Sequence, residues 1–205
     1  RCAQGGEGGG HTGATPTSIL IPRVLDAVKG RTSPLTGGPV SVVAAGGIFD
    51  SRGLAMSLAM GAEAVWVGTR FVAAEEAGAP PRHKKGVVAA GYDDTHRTLI
   101  YTGRPLRIIK NKYSMDWETN RSKECAEVCA QGKLPFEYDA EKREKDGKPF
   151  GGKEYIEAMP LLCGAVAGAI DEVLPAKTIV DEMVDGAAAL LSKTQAVVVA
   201  PRARM

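Results

Sequence analysis

PVSVVAAGGI, residues 39–48, decides the fold together with AVWVGTRF, residues 64–71. Each stretch begins with a short apolar run rich in β-branched residues and reaches a glycine, which is typical of a strand buried on both faces of a parallel sheet. Between them, Asp50 or Ser51 can cap a helix that Gly61 ends. Parallel strands joined by a helix need a right-handed crossover, so this spacing predicts an α/β fold.

Helices are predicted on both sides of these strands, which cover 39–45 and 64–67. Apolar residues at helical spacing indicate a helix over Thr15–Lys29, with Pro16 and Pro22 near its start and Gly30 just after its end. A short helix over Thr69–Glu76 follows the second strand. These elements complete an α/β unit in the first part of the chain.

The last part of the chain carries the most regular helical pattern. It predicts a helix over Thr178–Lys193, preceded by an Ala- and Gly-rich stretch at 161–173. The tail, 194–205, is predicted to fray because it lacks capping and turn signals. The following residues are expected on one apolar face of the helix: Ile179, Met183, Ala187, Leu190, Val180, Val184 and Leu191.

The middle of the chain has a different texture. Residues 79–155 show weak periodicity, a basic cluster at Arg82–Lys85 and a mixed-charge run at Glu137–Lys148 that is interpreted as solvated surface. We therefore expect a second, mainly helical region. The resulting organisation is 1–78, 79–160 and 161–205, with the last part packing back on the first.

Composition excludes several classes of function. Of 205 residues, 44% are apolar and 24% are charged, and 26 basic against 24 acidic residues leave a net charge of +2. This balance argues against nucleic acid or a membrane surface as the main partner. Four scattered cysteines, without a secretory signal or a long apolar segment, predict no disulfide and a soluble, cytoplasmic protein. Because Arg1 runs directly into a Gly-rich loop, the start of a longer protein is expected to be missing.

Two glycine turns follow the two predicted strands. Gly46 and Gly47 come after the first, and Gly68 and Thr69 after the second. Parallel α/β folds bind ligands at the carboxyl ends of their strands, and glycines let backbone N–H groups approach a phosphate closely. A helix beginning near Thr69 would point its positive end at the same place. Either turn alone is an ordinary connection, but the pair predicts one phosphate site.

The N-terminal stretch QGGEGGGHTG, residues 4–13, is the most unusual in the chain. So many glycines stabilise neither helix nor strand, which indicates a backbone held by close approach to a flat ligand. His11 is the only imidazole in this loop. Because histidine titrates near neutrality, His11 is the candidate for moving a proton at a carbon beside an electron-withdrawing group.

Other chemistry-bearing residues are given structural interpretations. His83 and His96 are expected to face solvent. Cys125 and Cys129 are four residues apart on a predicted helix, but two thiols without further ligands predict packing and no metal site. Both tryptophans, Trp66 and Trp117, have the size to stack on a ring, and burial in the core is the preferred interpretation.

QGGEGGGHTG, PVSVVAAGGI and AVWVGTRF, in this order and spacing, resemble the last part of nitronate monooxygenases, formerly called 2-nitropropane dioxygenases. The closing stretch GAVAGAIDEVLPAKTIVDEMV, residues 164–184, is also similar to that family. The two strand motifs occur as well in related flavin-dependent enoyl-ACP reductases. The resemblance implies the C-terminal portion of a TIM (β/α)8 barrel with an appended, mainly helical domain.

The resemblance also implies a cofactor and a reaction. The cofactor is FMN, and the reaction oxidises alkyl nitronates or nitroalkanes with O2 to carbonyl compounds and nitrite. By motif position, His11 matches the catalytic histidine. The residues matched to FMN are Gln4 and Gly9 along the flavin, Gly46 and Gly47 in the first phosphate loop, and Trp66, Val67, Gly68 and Thr69 in the second.

The sequence departs from the family pattern in length. The family places the glutamine-to-histidine motif after its sixth strand, so five strands and most of the sixth are missing here, and tight FMN binding by this piece alone is not expected. Gly8 stands where alanine is usual. Two alternatives stay open: an FMN-dependent enoyl reductase that uses NAD(P)H, and a non-catalytic remnant that acts as a binding piece. No oligomeric state follows from the sequence.

Overall fold

The computed structural model describes residues 1–195 and 197. The predicted fraying of 194–205 therefore falls almost entirely outside the described residues. In chain order, the elements are β1 (Cys2–Gln4), β2 (Gly10–His11), α1 (Thr17–Val28), β3 (Val43–Ala45), α2 (Ser51–Ala59), β4 (Ala64–Trp66), α3 (Thr69–Val72), α4 (Pro81–Ala89), β5 (Thr95–Thr98), β6 (Leu106–Ile109), α5 (Lys112–Thr119), α6 (Ser122–Ala130), α7 (Pro135–Lys145), α8 (Gly152–Ala158), a 3₁₀ helix (Ala165–Ala169) and α9 (Ala176–Gln195).

A parallel sheet forms the centre of the first part of the chain. Its strand order is β1-β3-β4, and a helix lies between each pair of consecutive strands of this sheet, which confirms the predicted α/β class. Ala44 and Ile48 on or beside β3 are buried together with Ile21 of α1 and Met183 of α9. The core therefore joins the N-terminal strands to the last helix.

The second predicted strand differs from expectation in burial. Within the described chain β4 pairs with β3 only, and Ala64 and Trp66 are exposed, the latter at 69%. Burial of both faces was therefore the wrong expectation for this strand, and a buried role was wrong for Trp66. An edge strand has a neighbour on one side only, so its side chains keep more contact with water. Trp117, in α5, is fully buried as expected.

Two predicted elements are shorter in the structure. The regular strand is limited to Val43–Ala45, while Pro39 makes only an isolated bridge to Thr32. The helix predicted over Thr69–Glu76 ends at Val72. Beyond it, the Glu75 N–H donates to the Leu174 carbonyl at 2.9 Å. The chain leaves the helix because this backbone pairs with the segment that precedes α9.

Local signals set the remaining N-terminal elements. The Asp50 side chain accepts a hydrogen bond from the Gly53 N–H at 2.9 Å, and Gly61 turns the chain with φ +101°. The cap and the stop of α2 are thus as predicted. Helix α1 continues through Pro22, which removes one helical hydrogen bond. Complete burial of Ile21 shows the packing that offsets this loss.

Helix α9 is confirmed, with a narrower buried face than predicted. Ile179, Met183 and Ala187 are buried against the core, whereas Val180, Val184 and Leu191 are exposed. A 3.6-residue period places residues i, i+4 and i+8 in one stripe, and their immediate neighbours lie about 100° away. The expectation of one joint apolar face was therefore wrong for Val180, Val184 and Leu191.

This geometry makes a stability prediction. Ile179→Val is expected to lower the free energy of unfolding by about 0.5–1.5 kcal/mol, because it removes one buried methylene. Val180→Ala, next to it on the exposed side, is expected to cost about 0.5 kcal/mol or less. Urea unfolding of both variants checks the pair. Equal losses would show that α9 uses both faces for packing.

The middle of the chain contains an unpredicted sheet beside its helices. It is antiparallel, with order β2-β6-β5, and pairs His11 with Leu106. Helices α4 to α8 make up most of the rest of 79–160. The Gly-rich loop is thereby joined to the middle of the chain through β2.

The charged run 137–148 is only partly surface. Asp139 is 4% exposed and receives hydrogen bonds from Arg121 and Arg143 at 2.9 and 3.1 Å, besides one from the Tyr113 hydroxyl. The interpretation of the whole run as solvated surface was wrong at this position. A buried carboxylate requires such partners.

Among the described residues, no helix has the length and apolarity needed to cross a membrane.

Candidate functional site

A cavity of about 290 Å³ lies at the carboxyl ends of the three parallel strands. It brings together the Gly-rich loop, the turns after β3 and β4, and the segment before the 3₁₀ helix. Its lining residues are Gln4, Glu7, Gly8, Gly9, Gly10, Ala45, Gly46, Gly47, Ile48, Trp66, Gly68, Thr69, Val72, Leu162, Cys163, Gly164 and Val166. Seven of the nine residues singled out from the sequence thus meet in one place, and Val67 and His11 are outside this lining.

Gly46 and Gly47 adopt a backbone conformation that strongly favours glycine. Their φ angles are +89° and +73°, in the left-handed region that side chains disfavour. A Cβ on Gly46 would lie 2.8 Å from the carbonyl oxygen of Gly5. The first glycine turn is therefore held open at the cavity by conformation and by close backbone contact.

The Gly-rich loop packs against the chain itself. A Cβ on Gly9 would lie 2.6 Å from the Cys163 carbonyl carbon, and one on Gly164 would lie 2.7 Å from the Glu7 carbonyl oxygen. The Ala165 N–H donates to that same oxygen at 2.9 Å. Close contact between two backbones explains both glycines and holds this part of the loop in place.

The wall formed by Leu162, Cys163, Gly164 and Val166 was missed from the sequence as part of a site. Its signal was the small residues of the Ala- and Gly-rich stretch, which permit close packing. Nothing local, however, indicates that this stretch lies over residues 7–9 of the loop. That juxtaposition is a property of the tertiary structure.

Glu7 is the only charged side chain among the lining residues. Its carboxylate accepts hydrogen bonds from the Thr17 N–H at 2.9 Å and from the Thr17 hydroxyl at 2.8 Å. Thr17 is the first residue of α1, which has no side-chain cap of its own from Pro16. Glu7 therefore serves as the acceptor for the start of α1, where a carboxylate is favourable.

The Thr69 hydroxyl group accepts one hydrogen bond and can still donate another. Its Oγ1 accepts a hydrogen bond from the Gly164 N–H at 2.8 Å. The hydroxyl hydrogen is not used in this bond and can be donated to an acceptor in the cavity. Because α3 is a single turn of four residues, the helix dipole predicted here is small, and polar contacts must come from individual groups.

His11 lies beside the cavity, one residue after the lining residue Gly10. Its side chain is exposed, and its Nε2 lies 2.9 Å from the Thr102 hydroxyl. The Gln4 side-chain amide donates to the His11 carbonyl oxygen at 2.8 Å. Gln4 thus holds the backbone of His11, and the turn between β5 and β6 contacts its ring.

The remaining candidates are placed as follows. Val67 packs against the hydrophobic core, while Trp66 lies at the cavity. His83 is half-buried, and its Nε2 lies 2.8 Å from the Leu162 carbonyl. His96 is also half-buried and contacts the Ser114 hydroxyl at 2.9 Å, and burial lowers its pKa. The expectation that both histidines face solvent was wrong, since each is bonded to another segment.

The cysteines are all free thiols. Cys125 and Cys129 lie on α6, and burial together with Cys129 raises the pKa of Cys125 to about 11. Burial raises the pKa of Cys163 to about 12. Among the described residues, no group of three or more His, Cys, Asp or Glu side chains is arranged to hold a metal ion.

These environments predict the order of thiol alkylation. Because burial raises the pKa of the Cys163 thiol, the folded protein is expected to protect it from iodoacetamide near pH 8. Exposed Cys2 is expected to react first. Peptide mass spectrometry over time, with Cys2→Ser to remove the fast phase, measures this order. Labelling of Cys163 as fast as Cys2 before unfolding would contradict its burial.

Comparisons with known proteins extend over nearly the whole chain. The family model described as nitronate monooxygenase matches residues 2–186. Rv1533 of Mycobacterium tuberculosis, by name a monooxygenase, is 36% identical over 183 residues, which are 89% of this chain and 46% of that protein. The chain therefore spans less than half the length of this curated relative.

A second relative bears a different name. The (3aS,4S,5R,7aS)-5-hydroxy-7a-methyl-1-oxo-octahydro-1H-indene-4-carboxyl-CoA dehydrogenase of Mycobacterium tuberculosis is 47% identical over 109 residues, or 53% of this chain and 29% of that enzyme. Sequence similarity thus extends to a protein named for a CoA thioester as well as to monooxygenases.

Two solved structures with different names resemble this chain. FabK from Thermotoga maritima has a TM-score of 0.67 and 28% identity, covering 96% of this chain and 57% of that chain. Nitroalkane oxidase from Streptomyces ansochromogenes has a TM-score of 0.66 and 26% identity, covering 94% of this chain and 52% of that chain. The arrangement of elements described above is therefore shared with both proteins.

Proposed function

Because the chain belongs to the nitronate monooxygenase family, we propose that it forms the FMN-binding and proton-handling part of an oxidoreductase. The proposed reaction converts alkyl nitronates or nitroalkanes and O2 to carbonyl compounds and nitrite. The observation that supports it most is the cavity in which the Gly-rich loop and two glycine turns converge beside His11. On this proposal, β1, β3 and β4 correspond to the last strands of a (β/α)8 barrel, and the protein acts in the cytoplasm.

The cavity residues are compatible with FMN. Gly46 and Gly47 line the cavity at the carboxyl end of β3 with successive left-handed φ angles and no side chains, so an anionic oxygen can approach their backbone. The Thr69 hydroxyl has a hydrogen free to donate. Glu7 would repel a phosphate, but its carboxylate is already hydrogen-bonded to the N–H and the hydroxyl of Thr17. We assign the phosphate to Gly46, Gly47, Gly68 and Thr69.

The other cavity residues are assigned to the flavin ring. Gln4 and Gly9 lie on the Gly-rich loop, and Trp66 extends from the edge strand β4. Val67 supports this wall from the core. Bound FMN would accept electrons from the substrate and pass them to O2. The chain's own contribution is to orient the ring, exclude water from one side and supply a base.

The protein's proton chemistry is assigned to His11. A neutral nitroalkane loses a proton from the carbon next to the nitro group before it is a nitronate, and a neutral imidazole can take that proton. A substrate that is already a nitronate requires only orientation by the same ring. His11 can do this because Gln4 fixes its backbone and Thr102 contacts its ring.

A second candidate function is an FMN-dependent reductase of enoyl thioesters that uses NAD(P)H. It is favoured by the structural similarity to FabK and by the relative named for a CoA thioester. The two functions share a flavin site and differ in the substrate that reduces the flavin. Nothing in the cavity geometry used above requires a nicotinamide.

Two assays on the full-length parent protein separate the candidates. We expect nitrite release from nitroethane and from propionate 3-nitronate, and no flavin reduction by NADPH in the presence or absence of an enoyl thioester. The reverse result would favour the reductase. A colourless full-length protein that fails to bind added FMN would instead indicate the non-catalytic remnant.

A further inference from the structure

The turn between β5 and β6 places one hydroxyl group on the ring of His11. Thr102 Oγ1 lies 2.9 Å from His11 Nε2 and 3.1 Å from the carbonyl oxygen of Arg104. The Thr102 hydroxyl thus contacts the His11 ring, whose protonation can vary, and the Arg104 carbonyl, which can only accept a hydrogen bond. The fixed role of the carbonyl therefore indicates which nitrogen of His11 carries the hydrogen.

Counting hydrogens fixes the roles in this chain of contacts. A threonine hydroxyl has one hydrogen, and the Arg104 carbonyl has none to offer. If Thr102 donates to Arg104, its oxygen has a lone pair for His11 Nε2, which must then carry a hydrogen. If His11 Nε2 were unprotonated, the two acceptors would compete for the single hydroxyl hydrogen. Only the Nε2–H form satisfies both contacts.

Backbone pairing holds Thr102 in this place. His11 pairs with Leu106 across β2 and β6, and the Thr12 N–H donates to the Pro105 carbonyl at 3.2 Å. On the other side of the turn, the Gly103 N–H donates to the Leu99 carbonyl at 2.8 Å. The hydroxyl is therefore positioned by a closed turn that is tied to the strand carrying the histidine.

The other ring nitrogen has no protein partner in the described part of the chain. Among residues 1–195 and 197, the hydrogen bond to Thr102 is the only one made by the His11 side chain. With Nε2 protonated, the lone pair of the neutral ring is on Nδ1. Nδ1 is therefore the nitrogen that can accept a proton.

We propose that Thr102 is a positioning residue that holds His11 in the Nε2–H tautomer, leaving Nδ1 to receive the proton from a neutral nitroalkane. This inference rests on the proposed function of His11. In the step, the Nδ1 lone pair forms the new N–H bond, and the electrons of the broken C–H bond stay on the substrate as the nitronate. The imidazolium keeps its Nε2–H bond to Thr102.

Nitrogen NMR of the imidazole rings tests the tautomer directly. The full-length protein, labelled with ¹⁵N-histidine and held at a pH where the rings are neutral, is compared with its Thr102→Val and Thr102→Ser variants. His11→Asn identifies the His11 signals among those of the other histidines. We expect a protonated Nε2 in the unmodified protein and in Thr102→Ser, and mixed tautomers in Thr102→Val. A protonated Nδ1, or a spectrum unchanged in Thr102→Val, would overturn the inference.

Kinetics then separates positioning from a general loss of structure. Thr102→Val is expected to lower kcat/KM for nitroethane. The loss should be smaller than the roughly 10²–10⁴-fold that removal of the general base itself would cause. Turnover of propionate 3-nitronate, which needs no proton removal, should stay within about twofold, and Thr102→Ser should restore the nitroethane rate. Equal losses on both substrates would show a structural role for Thr102. Thr119→Val is the matched control, because within the described part of the chain the Thr119 hydroxyl bonds only to the Met115 carbonyl of its own helix.

The two assays distinguish failure of the inference from failure of the proposed function. A protonated Nε2 that depends on Thr102, in a protein that releases no nitrite, would retain the positioning and reject the nitronate reaction. Nitrite release with an unconstrained His11 ring would retain the reaction and reject the role of Thr102.

Discussion

His11→Asn is expected to lower kcat/KM for nitroethane by about 10²–10⁴-fold, the usual contribution of a general base. Asparagine keeps a polar side chain beside Thr102 but has no lone pair basic enough to take a proton at neutral pH. The effect should be much smaller with propionate 3-nitronate, because that substrate arrives without the proton. Nitrite release measured with both substrates, across pH, checks the prediction.

A matched control comes from another histidine of the same chain. His96 is half-buried and bonded to Ser114, and it is absent from the cavity lining. His96→Asn is expected to lower thermal stability and to leave both kcat/KM values within about twofold of the unmodified protein. If His11→Asn slows the two substrates equally, His11 orients the anion or supports the loop and is not the base. FMN content measured by absorbance reveals any loss of cofactor.

In the full-length protein, Gly46→Ala is expected to abolish detectable FMN binding and to destabilise the fold. Alanine at φ +89° costs about 1–2 kcal/mol, and its Cβ would also lie 2.8 Å from the Gly5 carbonyl oxygen. Because the contacted atoms are backbone, the turn must shift and take the proposed phosphate amides with it. Flavin fluorescence titration and urea unfolding measure the two effects.

Gly37→Ala separates conformational strain from close contact. Gly37 also has a positive φ, +69°, but a Cβ there would meet no atom within 4 Å. We expect this variant to lose about 1–2 kcal/mol and to bind FMN normally. If Gly46→Ala behaves like Gly37→Ala in both measurements, the turn after β3 is not a phosphate site.

Several features of the fold were predictable because their causes lie within a few residues. The apolar run before Gly46, the Asp50 cap and the period of α9 specify their elements through local packing and hydrogen bonding. The positive φ angles of Gly46 and Gly47 belong to the same class, since their cause is the backbone of the turn itself.

The second sheet was not predictable in the same way. Strand β2 has only two residues and lies in a Gly-rich loop without strand propensity. It exists because it pairs with β6, whose own alternation of buried Leu106 and Ile108 extends over four residues. A pattern this short does not distinguish a strand from other structure. The pairing that forms the sheet is long-range.

The exposure of Trp66 and the burial of Asp139 have a related cause. A tryptophan in an apolar strand suggests burial, and an aspartate in a charged run suggests exposure to solvent. Trp66 is exposed because β4 pairs on one side only within the described chain, and Asp139 is buried because two arginines and Tyr113 surround it. Neighbours distant in sequence decide both.

For this protein, residue order alone determined the α/β class, the turns that open a cavity at the strand ends, and the choice of His11 as the imidazole near it. Tertiary structure alone decided that Cys163 and Gly164 cover the Gly-rich loop and that Thr102, 91 residues from His11, contacts its ring. The physical reason is the distance along the chain between the residues that interact. Helix periods, caps and glycine turns depend on interactions between near neighbours, whereas the wall of a cavity and the tautomer of a histidine depend on segments that meet only after folding.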